Sequence, residues 1–458
     1  MKKKISLIIV AVLVATALLV TLSACGEKPY DLVYANWNLS TEAVNNIERQ
    51  MVKAFEEKYD VRIKIEGNIS QTAYDDSINA LAAKDALPDV FMLSNINFGL
   101  SNKYVMDISE YAKNDADWGK IPAPIENAVH YKNGIYAVPF AMHMMGYFVN
   151  VDLLQMYNLD DKLNQDFNYD NFFGIVQTMS NNKADGVLGL NREDSIIEWY
   201  PSSVNADFGW YTWDGSAYHL DSNEFKDGME KARTMFTNGM TYEGLTEEER
   251  EANFSGVEGS TDLWNQGNLA LRWGATYEVP DMLDKNGGSF EIRFLGVPGG
   301  RTPVVGDYLA ISTTCKNPEL AYKFAKWMSF GPDGIRERIS REKDVTNTLP
   351  LTTDQAIIDE YFAKFQAVDG IKQLYDTLEN GIVESVKVVP GYTRARFNAL
   401  TGLQVTIDGT SMPNIKIGDL ILNCWQGKLT YADYALSANT LANEQYAKAI
   451  KEYESYYK

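Results

Sequence analysis

The chain has 458 residues, more than one ordinary domain of roughly 100–200 residues contains, so at least two lobes are predicted. It carries 62 Asp+Glu against 42 Lys+Arg, a formal net charge of −20, which is the wrong sign for binding a phosphate backbone and argues against a nucleic-acid partner. Three cysteines and three histidines leave little material for a zinc cluster or a disulfide framework, and we expect no metal and no cofactor. Cys315 and Cys424 could either pair or remain buried thiols.

The amino terminus begins with charged residues followed by an apolar run, which is the order found in secretory signals. Lys2, Lys3 and Lys4 precede an uncharged run over residues 5–24, which is also about long enough to span a bilayer at roughly 20 residues, so a retained helix is the alternative. Residues 22–26, LSACG, resemble a bacterial lipobox. That resemblance implies that residues 1–24 are a signal peptide and that Cys25 carries a lipid. The protein would then be anchored to the outer face of the bacterial cell membrane.

The first elements of the chain follow an α/β pattern. Residues 32–34 predict a strand, and the apolar spacing after Ser40 and Thr41 predicts a helix that starts at one of these two residues. Alternation over 61–65 predicts a second strand, and the apolar run 90–93 predicts a buried one. Strand, helix and strand in this order favour a parallel sheet with a right-handed crossover.

Further strands are predicted along the rest of the chain. Residues 134–150 indicate two strands separated by a short turn, and strand character returns over 290–298 and 308–312. Asn317 followed by Pro318 is typical of a helix start. No internal repeat or low-complexity linker separates these parts, so we expect the lobes to be joined by short crossovers.

Four stretches give the chain a resemblance to a known family. Together with the lipobox they are similar to the extracellular solute-binding proteins of ABC importers, in the sugar-binding branch. The stretches are 87–91 (LPDVF), 134–154 (with GIYAVPF and YFVNVDLL), 263–271 (LWNQGNLAL) and 298–319.

The resemblance implies a two-lobe α/β fold of the type II periplasmic-binding-protein kind, with a hinge and an interlobe cleft. The lobes would be 25–141 with 290–335, and 142–289 with 336–458, joined by crossings near Ala141, near Phe290 and at 336–349. The implied function is capture of an oligosaccharide or related glycoside in the cleft and delivery to the transmembrane subunits of an ABC permease. The family's members bind without catalysis, and we expect a monomer.

Sugars have apolar faces and a rim of hydroxyls, so their recognition needs aromatic rings and hydrogen-bonding side chains. Trp37 and Asn38 follow the first predicted strand, and Asn95 follows the strand at 90–93, where open α/β sheets bind ligands. Trp210 precedes a predicted turn and is a further candidate. The sequence therefore predicts contacts from these four side chains.

The resemblance adds a second set of candidate contacts. His143 stands shortly after the hinge proline, where relatives often have a carboxylate, and Tyr277 stands where many have a tryptophan. The residues that the resemblance places at ligand-contacting positions of the family are His143, Trp199, Tyr200, Tyr277, Asp307, Tyr308, Tyr392 and Arg394.

Two other functions stay open at this point. A secreted glycosidase or lyase would need a pair of carboxylates, but among 62 acidic residues some pair is always close, so their abundance carries no weight. A receptor for a cation such as a polyamine or a peptide would suit the acidic chain, although surface acidity usually serves solvation. Trp and Tyr candidates outnumber charged ones near the inferred cleft, which favours the oligosaccharide.

Overall fold

The structure is a computed structural model, and it describes residues 29–67, 69–163, 167–342, 348–365 and 368–454. The predicted signal peptide, 1–24, and the predicted lipidation site, Cys25, lie outside the described residues. Within the described ranges, no helix combines the length and the apolarity that crossing a bilayer requires. Cys315 and Cys424 are both free thiols.

The strands define the frame of the molecule. In chain order they are β1 (Leu32–Ala35), β2 (Ile63–Glu66), β3 (Val90–Leu93), β4 (His130–Tyr131), β5 (Gly134–Ile135), β6 (Val138–Asn150), β7 (Leu188–Leu190), β8 (Leu269–Ala275), β9 (Ile292–Gly296), β10 (Pro303–Ile311), β11 (Ile382–Val383), β12 (Gln404–Ile407) and β13 (Thr410–Pro413).

The helices cover both sides of this frame. They are α1 (Ile47–Tyr59), α2 (Tyr74–Ala82), α3 (Ile96–Ser101), α4 (Ser109–Lys113), α5 (Ala123–Asn127), α6 (Val151–Met156), α7 (Tyr169–Asn181), α8 (Ile196–Val204), α9 (Asn223–Thr237), α10 (Glu247–Asn253), α11 (Ser260–Asn265), α12 (Val279–Asn286), α13 (Pro318–Met328), α14 (Pro332–Arg341), α15 (Gln355–Phe365), α16 (Ile371–Tyr375), α17 (Ile417–Trp425) and α18 (Ala435–Glu454).

One mixed sheet runs through both lobes in the order β2-β1-β3-β10-β6-β8-β7. The parallel pairs of β1 with β2 and β3 confirm the predicted crossovers of the N-terminal lobe. Strand β6 is the shared element, because its first half pairs with β10 and its second half pairs with β8 and β9. The two lobes therefore share the strand β6, and the predicted two-lobe α/β fold is confirmed.

Close packing of the backbone marks the point where β6 enters the C-terminal lobe. A Cβ on Gly146 would lie 2.5 Å from the Cα of Gly296, so only glycine fits between the two strands. Gly296 itself has a φ of 67°, in the left-handed region that glycine adopts without strain. This contact allows β9 to cross beside β6 at the hinge.

The buried apolar side chains form two large cores. One contains Tyr34, Phe91 and Phe324 in the N-terminal lobe and continues under β8 to Trp264 and Phe294. The other fills the C-terminal lobe with aromatic side chains, and its fully buried members include Tyr147, Phe172, Trp199, Tyr211 and Phe225. Because each lobe has its own packed interior, the space between the lobes is free to be a cleft.

Two expectations about individual elements differ from the structure, and a third is confirmed. The first helix begins at Ile47 rather than near Ser40, because the side chain of Asn46 accepts the hydrogen bond from Arg49 N at 3.2 Å. Residues 141–143 pair with β10, so β6 is one continuous strand instead of two strands and a turn. The predicted helix cap at Asn317 is confirmed.

The described parts of the predicted third crossing, 336–342 and 348–349, lie along the N-terminal lobe instead. Helix α14 packs on α1 and α13, and α15 packs on α14. The chain returns to the C-terminal core at β11, where Ile382 enters it, and Val389 and Tyr392 follow. The reason is apolar packing, since Tyr361 and Phe362 of α15 are buried in the core of the N-terminal lobe.

Candidate functional site

A cleft of about 720 Å³ lies between the lobes, with the hinge strands β6 and β10 as its floor. This volume falls within the roughly 300–1,000 Å³ of small-molecule sites. Rings, amides and charged groups from both lobes line it; the side chains used below are Trp37, Asn38, Glu48, His143, Arg192, Glu198, Trp210, Trp273, Tyr277, Asp307, Glu384 and Lys387.

The wall from the N-terminal lobe is built on a single helical turn after β1. Asn36 fixes this turn, because its Oδ1 accepts the hydrogen bond from Asn38 N at 2.7 Å. Trp37 packs edge-on against Tyr74, with ring centroids 4.8 Å apart and planes at 90°. The ring of Trp37 and the exposed amide of Asn38 both reach the cleft, as the strand-end position predicts.

The wall from the C-terminal lobe carries three aromatic rings. Trp210 and Trp273 stack with centroids 6.5 Å apart and planes at 28°, and Trp210 Nε1 donates to Tyr392 Oη at 3.2 Å. Tyr277 follows β8 and stands edge-on to His143, with centroids 5.3 Å apart. Its ring is 49% exposed, so a large aromatic face is open to the cleft.

The position of Tyr277 is set by hydrogen bonds at the end of β8. Thr276 Oγ1 accepts from Met144 N at 3.1 Å, which ties this turn to the hinge strand β6. Glu278 accepts from Ala275 N at 3.0 Å and pairs with Arg272. The ring is therefore attached to a turn with little freedom to move, which lowers the entropic cost of binding.

The hinge contributes a group of charged side chains to the floor. Lys387 Nζ donates to Asp307 Oδ1, and His143 Nε2 lies 3.9 Å from Asp307 Oδ2. Burial alone would raise the pKa of Asp307, but His143 and Lys387 outweigh it and hold that pKa well below its usual range. Asp307 is therefore an anion bound to its own counter-ion, while the buried Nδ1 of His143 has no protein partner within the described chain.

Further charges at the cleft are also paired. Glu48 pairs with Arg338 at 2.7 Å, and Arg192 forms two hydrogen bonds with Asp194, at 2.9 and 2.7 Å. Burial raises the pKa of Glu198, and the nearby Arg396, 3.7 Å away, opposes that rise.

Glu384 differs from these groups. Burial raises its pKa to about 7, and Glu198 adds to that effect. Within the described ranges, the carboxyl of Glu384 has no ion-pair partner.

The structure brings half of the predicted contacts together and places the others elsewhere. Trp37, Asn38, His143, Trp210, Tyr277 and Asp307 line the cleft. The other predicted side chains, Asn95, Trp199, Tyr200, Tyr308, Tyr392 and Arg394, are not among the cleft-lining residues.

Each of these six side chains has a structural role instead. Asn95 is the N-cap of α3, where its Oδ1 accepts from Phe98 N at 2.8 Å. Tyr200 donates to Asp227 at 2.5 Å, and Arg394 pairs with Glu452 at 3.0 Å on the surface.

The other three are rings inside the apolar cores. Trp199 and Tyr392 are fully enclosed in the C-terminal core, and Tyr308 is fully enclosed in the N-terminal one.

Sequence reasoning missed several charged groups of the cleft, and these come from distant parts of the chain. Arg192, Glu198, Glu384 and Lys387 belong to segments that only the tertiary fold brings together. Charged side chains are consequently as numerous as rings, against the expectation that rings would dominate. One signal could have identified Glu384 as a cleft residue. It directly follows β11, and residues that directly follow a strand are the ones that the rule for open α/β sheets selects, as it did for Trp37.

Comparisons with known proteins agree with this architecture. A family model described as "Bacterial extracellular solute-binding protein" matches residues 40–330, more than half of the chain. No curated protein is significantly similar in sequence.

Solved structures share the fold at low sequence identity. An ABC substrate-binding protein of Listeria monocytogenes in complex with cycloalternan has 16% identity and a TM-score of 0.62, over 93% of this chain and 100% of that one. The cyclic alpha-maltosyl-1,6-maltose binding protein of Arthrobacter globiformis has 13% identity and a TM-score of 0.67, over 92% and 100%. The sugar-binding protein MalE of Xanthomonas citri has 13% identity and a TM-score of 0.66, over 92% and 99%. The chain therefore belongs to the family of bacterial extracellular solute-binding proteins.

Proposed function

We propose that this protein is the substrate-binding component of an ABC importer and that it holds a neutral oligosaccharide or related glycoside in its interlobe cleft. The observation that carries the proposal is the lining of the cleft, in which aromatic rings from both lobes face a space whose charges are almost all paired within the protein. Such a lining suits a ligand with apolar faces, many hydroxyls and no net charge.

The rings supply the apolar part of this recognition. Trp37 comes from one lobe and the half-exposed Tyr277 comes from the other, so a flat ligand can pack against both walls. Trp210 and Trp273 also line the cleft, but they are only 2% and 5% exposed and contribute little surface. Aromatic packing of this kind contributes about 0.5–1.5 kcal/mol for each ring beyond the area that it buries. The exposed amide of Asn38 is suited to hydroxyl groups of the ligand.

The charge pattern disfavours a cationic solute. A polyamine site needs carboxylates that are free to pair with ammonium groups, whereas Glu48 and Asp307 are already paired with Arg338 and Lys387. Glu198 lies beside Arg396. Binding a cation at these three carboxylates would therefore require their pairs to be broken, at a cost in free energy that a neutral sugar avoids. Among the described residues of the cleft lining, only the carboxyl of Glu384 is left without a cation beside it.

The structural relatives point to the same ligand class. Of those named above, one was solved with a cyclic saccharide, one is named for a cyclic saccharide and one is named a sugar-binding protein. A further structure contains maltotetraose. At 13–16% identity they share the fold and leave the ligand of this chain to be tested. Their ligands define the first compounds to try.

Binding would act through lobe closure and would make or break no bond. A saccharide that touches both walls favours the closed form by its differential affinity for the two forms. The closed protein, a monomer held at the membrane by a lipid on Cys25, would then dock on the permease. The hinge strands β6 and β10 are the elements that would bend.

A thermal-shift panel tests this function. Maltotetraose, cycloalternan, D-tagatose and xylotetraose would be compared with spermidine and a short basic peptide. We expect at least one neutral saccharide to raise the unfolding temperature, since a ligand at about 100 times its Kd adds roughly 2.7 kcal/mol. Stabilisation by spermidine alone, with no response to any saccharide, would contradict the proposal.

A further inference from the structure

Glu384 occupies a fixed place on the floor of the cleft, where the hinge meets the C-terminal lobe. Strand β11 pairs in parallel with the start of β10, and Glu384 N donates to Val304 O at 2.8 Å. The residue is only 8% exposed, yet its side chain lines the cleft. The backbone therefore holds this carboxyl at a defined position beside any bound solute.

Among the described residues, no cation pairs with the carboxyl of Glu384, whereas Glu48, Glu198 and Asp307 of the cleft lining each have one beside them. One oxygen, Oε1, accepts from Val386 N at 3.0 Å, and the other accepts no hydrogen bond from the described residues. The nearest cation along the chain, Lys387, is committed to Asp307. A carboxylate buried without a counter-ion is costly, and such a group tends to take up a proton instead.

The groups around Glu384 also favour the neutral form of its carboxyl. The carboxylate of Glu198 in α8 repels a second negative charge, and Lys387 only partly offsets this effect. The hydroxyls of Tyr308 and Tyr392 face it from β10 and from the C-terminal core, and neither carries a positive charge. Asp307 pairs with Lys387, and His143 Nε2 lies 3.9 Å from the other carboxyl oxygen of Asp307.

We propose that Glu384 binds the saccharide as a neutral carboxylic acid, donating its proton through Oε2 to an acceptor oxygen of the sugar. No bond other than this hydrogen bond forms, and the proton stays on the carboxyl while the ligand is bound. This inference rests on the proposed function and names the residue that makes the cleft selective for a neutral ligand. It also couples saccharide binding to the uptake of a proton.

Whether the saccharide affinity rises or falls with pH depends on which form of Glu384, protonated or ionised, binds the ligand. If only the protonated acid binds, the apparent Kd rises as the protonated fraction falls. The pKa of Glu384 is raised to about 7, so binding is strongest below neutrality and weakens as the pH rises through 7. Between about pH 6 and about pH 8.5, the protonated fraction and hence the affinity fall about 30-fold. A cationic ligand would give the opposite sign, because it would favour the ionised carboxylate.

Calorimetry of the full chain tests the inference with maltotetraose, or with the neutral saccharide of the panel that binds most tightly. Titrations in buffers of different ionisation enthalpy near pH 7 should show proton uptake on binding, and the affinity of the parent should fall about 30-fold by about pH 8.5. Glu384→Gln keeps a neutral side chain with a donor, so it should bind with little dependence on pH. Glu384→Ala should bind weakly at every pH.

Two controls separate this role from general effects of charge. Glu251→Gln removes an exposed negative charge outside the cleft and should keep the pH dependence of the parent. Burial raises the pKa of Glu193 to about 7 as well, so carbon-13 NMR of the glutamate carboxyls in the ligand-free protein should show two signals with midpoints near pH 7, and Glu384→Gln should lack one of them.

Saccharide binding that is independent of pH, or a pH dependence that survives in Glu384→Gln, would overturn the inference and leave the proposed function intact. Proton release on binding would overturn it as well. If no saccharide binds at all, the proposed function itself fails.

Discussion

Replacing Asp307 by asparagine is expected to lower the free energy of unfolding by about 2–3 kcal/mol at neutral pH. The substitution leaves the ammonium of Lys387 in the hinge without its counter-ion, and the two side chains are only 22% and 14% exposed. Breaking a buried pair from one side is costly because the remaining charge is still removed from water. Urea denaturation of the two proteins at neutral pH measures the difference.

The loss of stability caused by Asp307→Asn should become smaller as the pH falls. The pKa of Asp307 is held below its usual range, so the stability it contributes is fully present above the unfolded-state pKa, about 4, and is lost as the pH falls below that value. The difference between the parent and Asp307→Asn should therefore shrink in acid.

Asp281→Asn is the matched control, because its pair with Lys285 is 66% and 50% exposed. It should change stability by less than about 1 kcal/mol. The double variant Asp307→Asn with Lys387→Met should recover part of the loss. If Asp307→Asn and Asp281→Asn lowered the free energy of unfolding equally, the claim that the Asp307–Lys387 pair stabilises the hinge would be contradicted.

Removing the ring of Tyr277 is expected to weaken saccharide binding by about 30- to 100-fold, or about 2–3 kcal/mol, as for a central contact of a binding site. The ring offers the most exposed aromatic face among the described residues that line the cleft, and its turn is held by hydrogen bonds to β6 and β8. Because half of the ring is in solvent, Tyr277→Ala should change stability far less than it changes affinity. Titration calorimetry and urea denaturation on the same variant separate the two effects.

Tyr30 provides a control with the same exposure. Both tyrosines are 49% exposed, but Tyr30 packs on Arg62 in the N-terminal lobe and is not among the cleft-lining residues. Tyr30→Ala should leave saccharide affinity unchanged, and Tyr277→Phe should retain most of it because the ring remains. If Tyr277→Ala bound the saccharide as tightly as the parent, the assignment of this ring as a ligand contact would be wrong.

The fold was largely predictable because its signals are local. Alternation at 61–65, the apolar run at 90–93 and the cap at Asn317 each specify one element, and each element forms. The errors arose where tertiary contacts decide. Pairing with β10 makes β6 continuous, and burial of Tyr361 and Phe362 keeps α15 with the N-terminal lobe.

The cleft was predictable only in part, for a physical reason. A strand end shows in the sequence, so the rule for open α/β sheets leads to Trp37 and Asn38. The same rule cannot distinguish a cleft-lining side chain from a helix cap, and Asn95 is a cap. Trp199 and Tyr392 have the residue type of a sugar platform, but the C-terminal core encloses both.

Charges were the least predictable part of the site. Lys387 and Asp307 are 80 residues apart, and their pairing depends on β11 lying beside β10. The unpaired state of Glu384 depends in turn on that pairing, since Lys387 would otherwise be the nearest cation. Sequence spacing contains no information of this kind, and the difference between a cleft for neutral solutes and one for cations rests on it.

Equilibrium dialysis with the saccharide that stabilises the protein most, followed by mass spectrometry of the recovered sugar, addresses binding without turnover in one experiment. We expect saturable binding of one saccharide per chain, and after prolonged incubation the sugar should be recovered with its original mass. Recovery of shortened products that disappear when a single cleft carboxylate is replaced, or the absence of saturable binding for every neutral saccharide, would contradict the account.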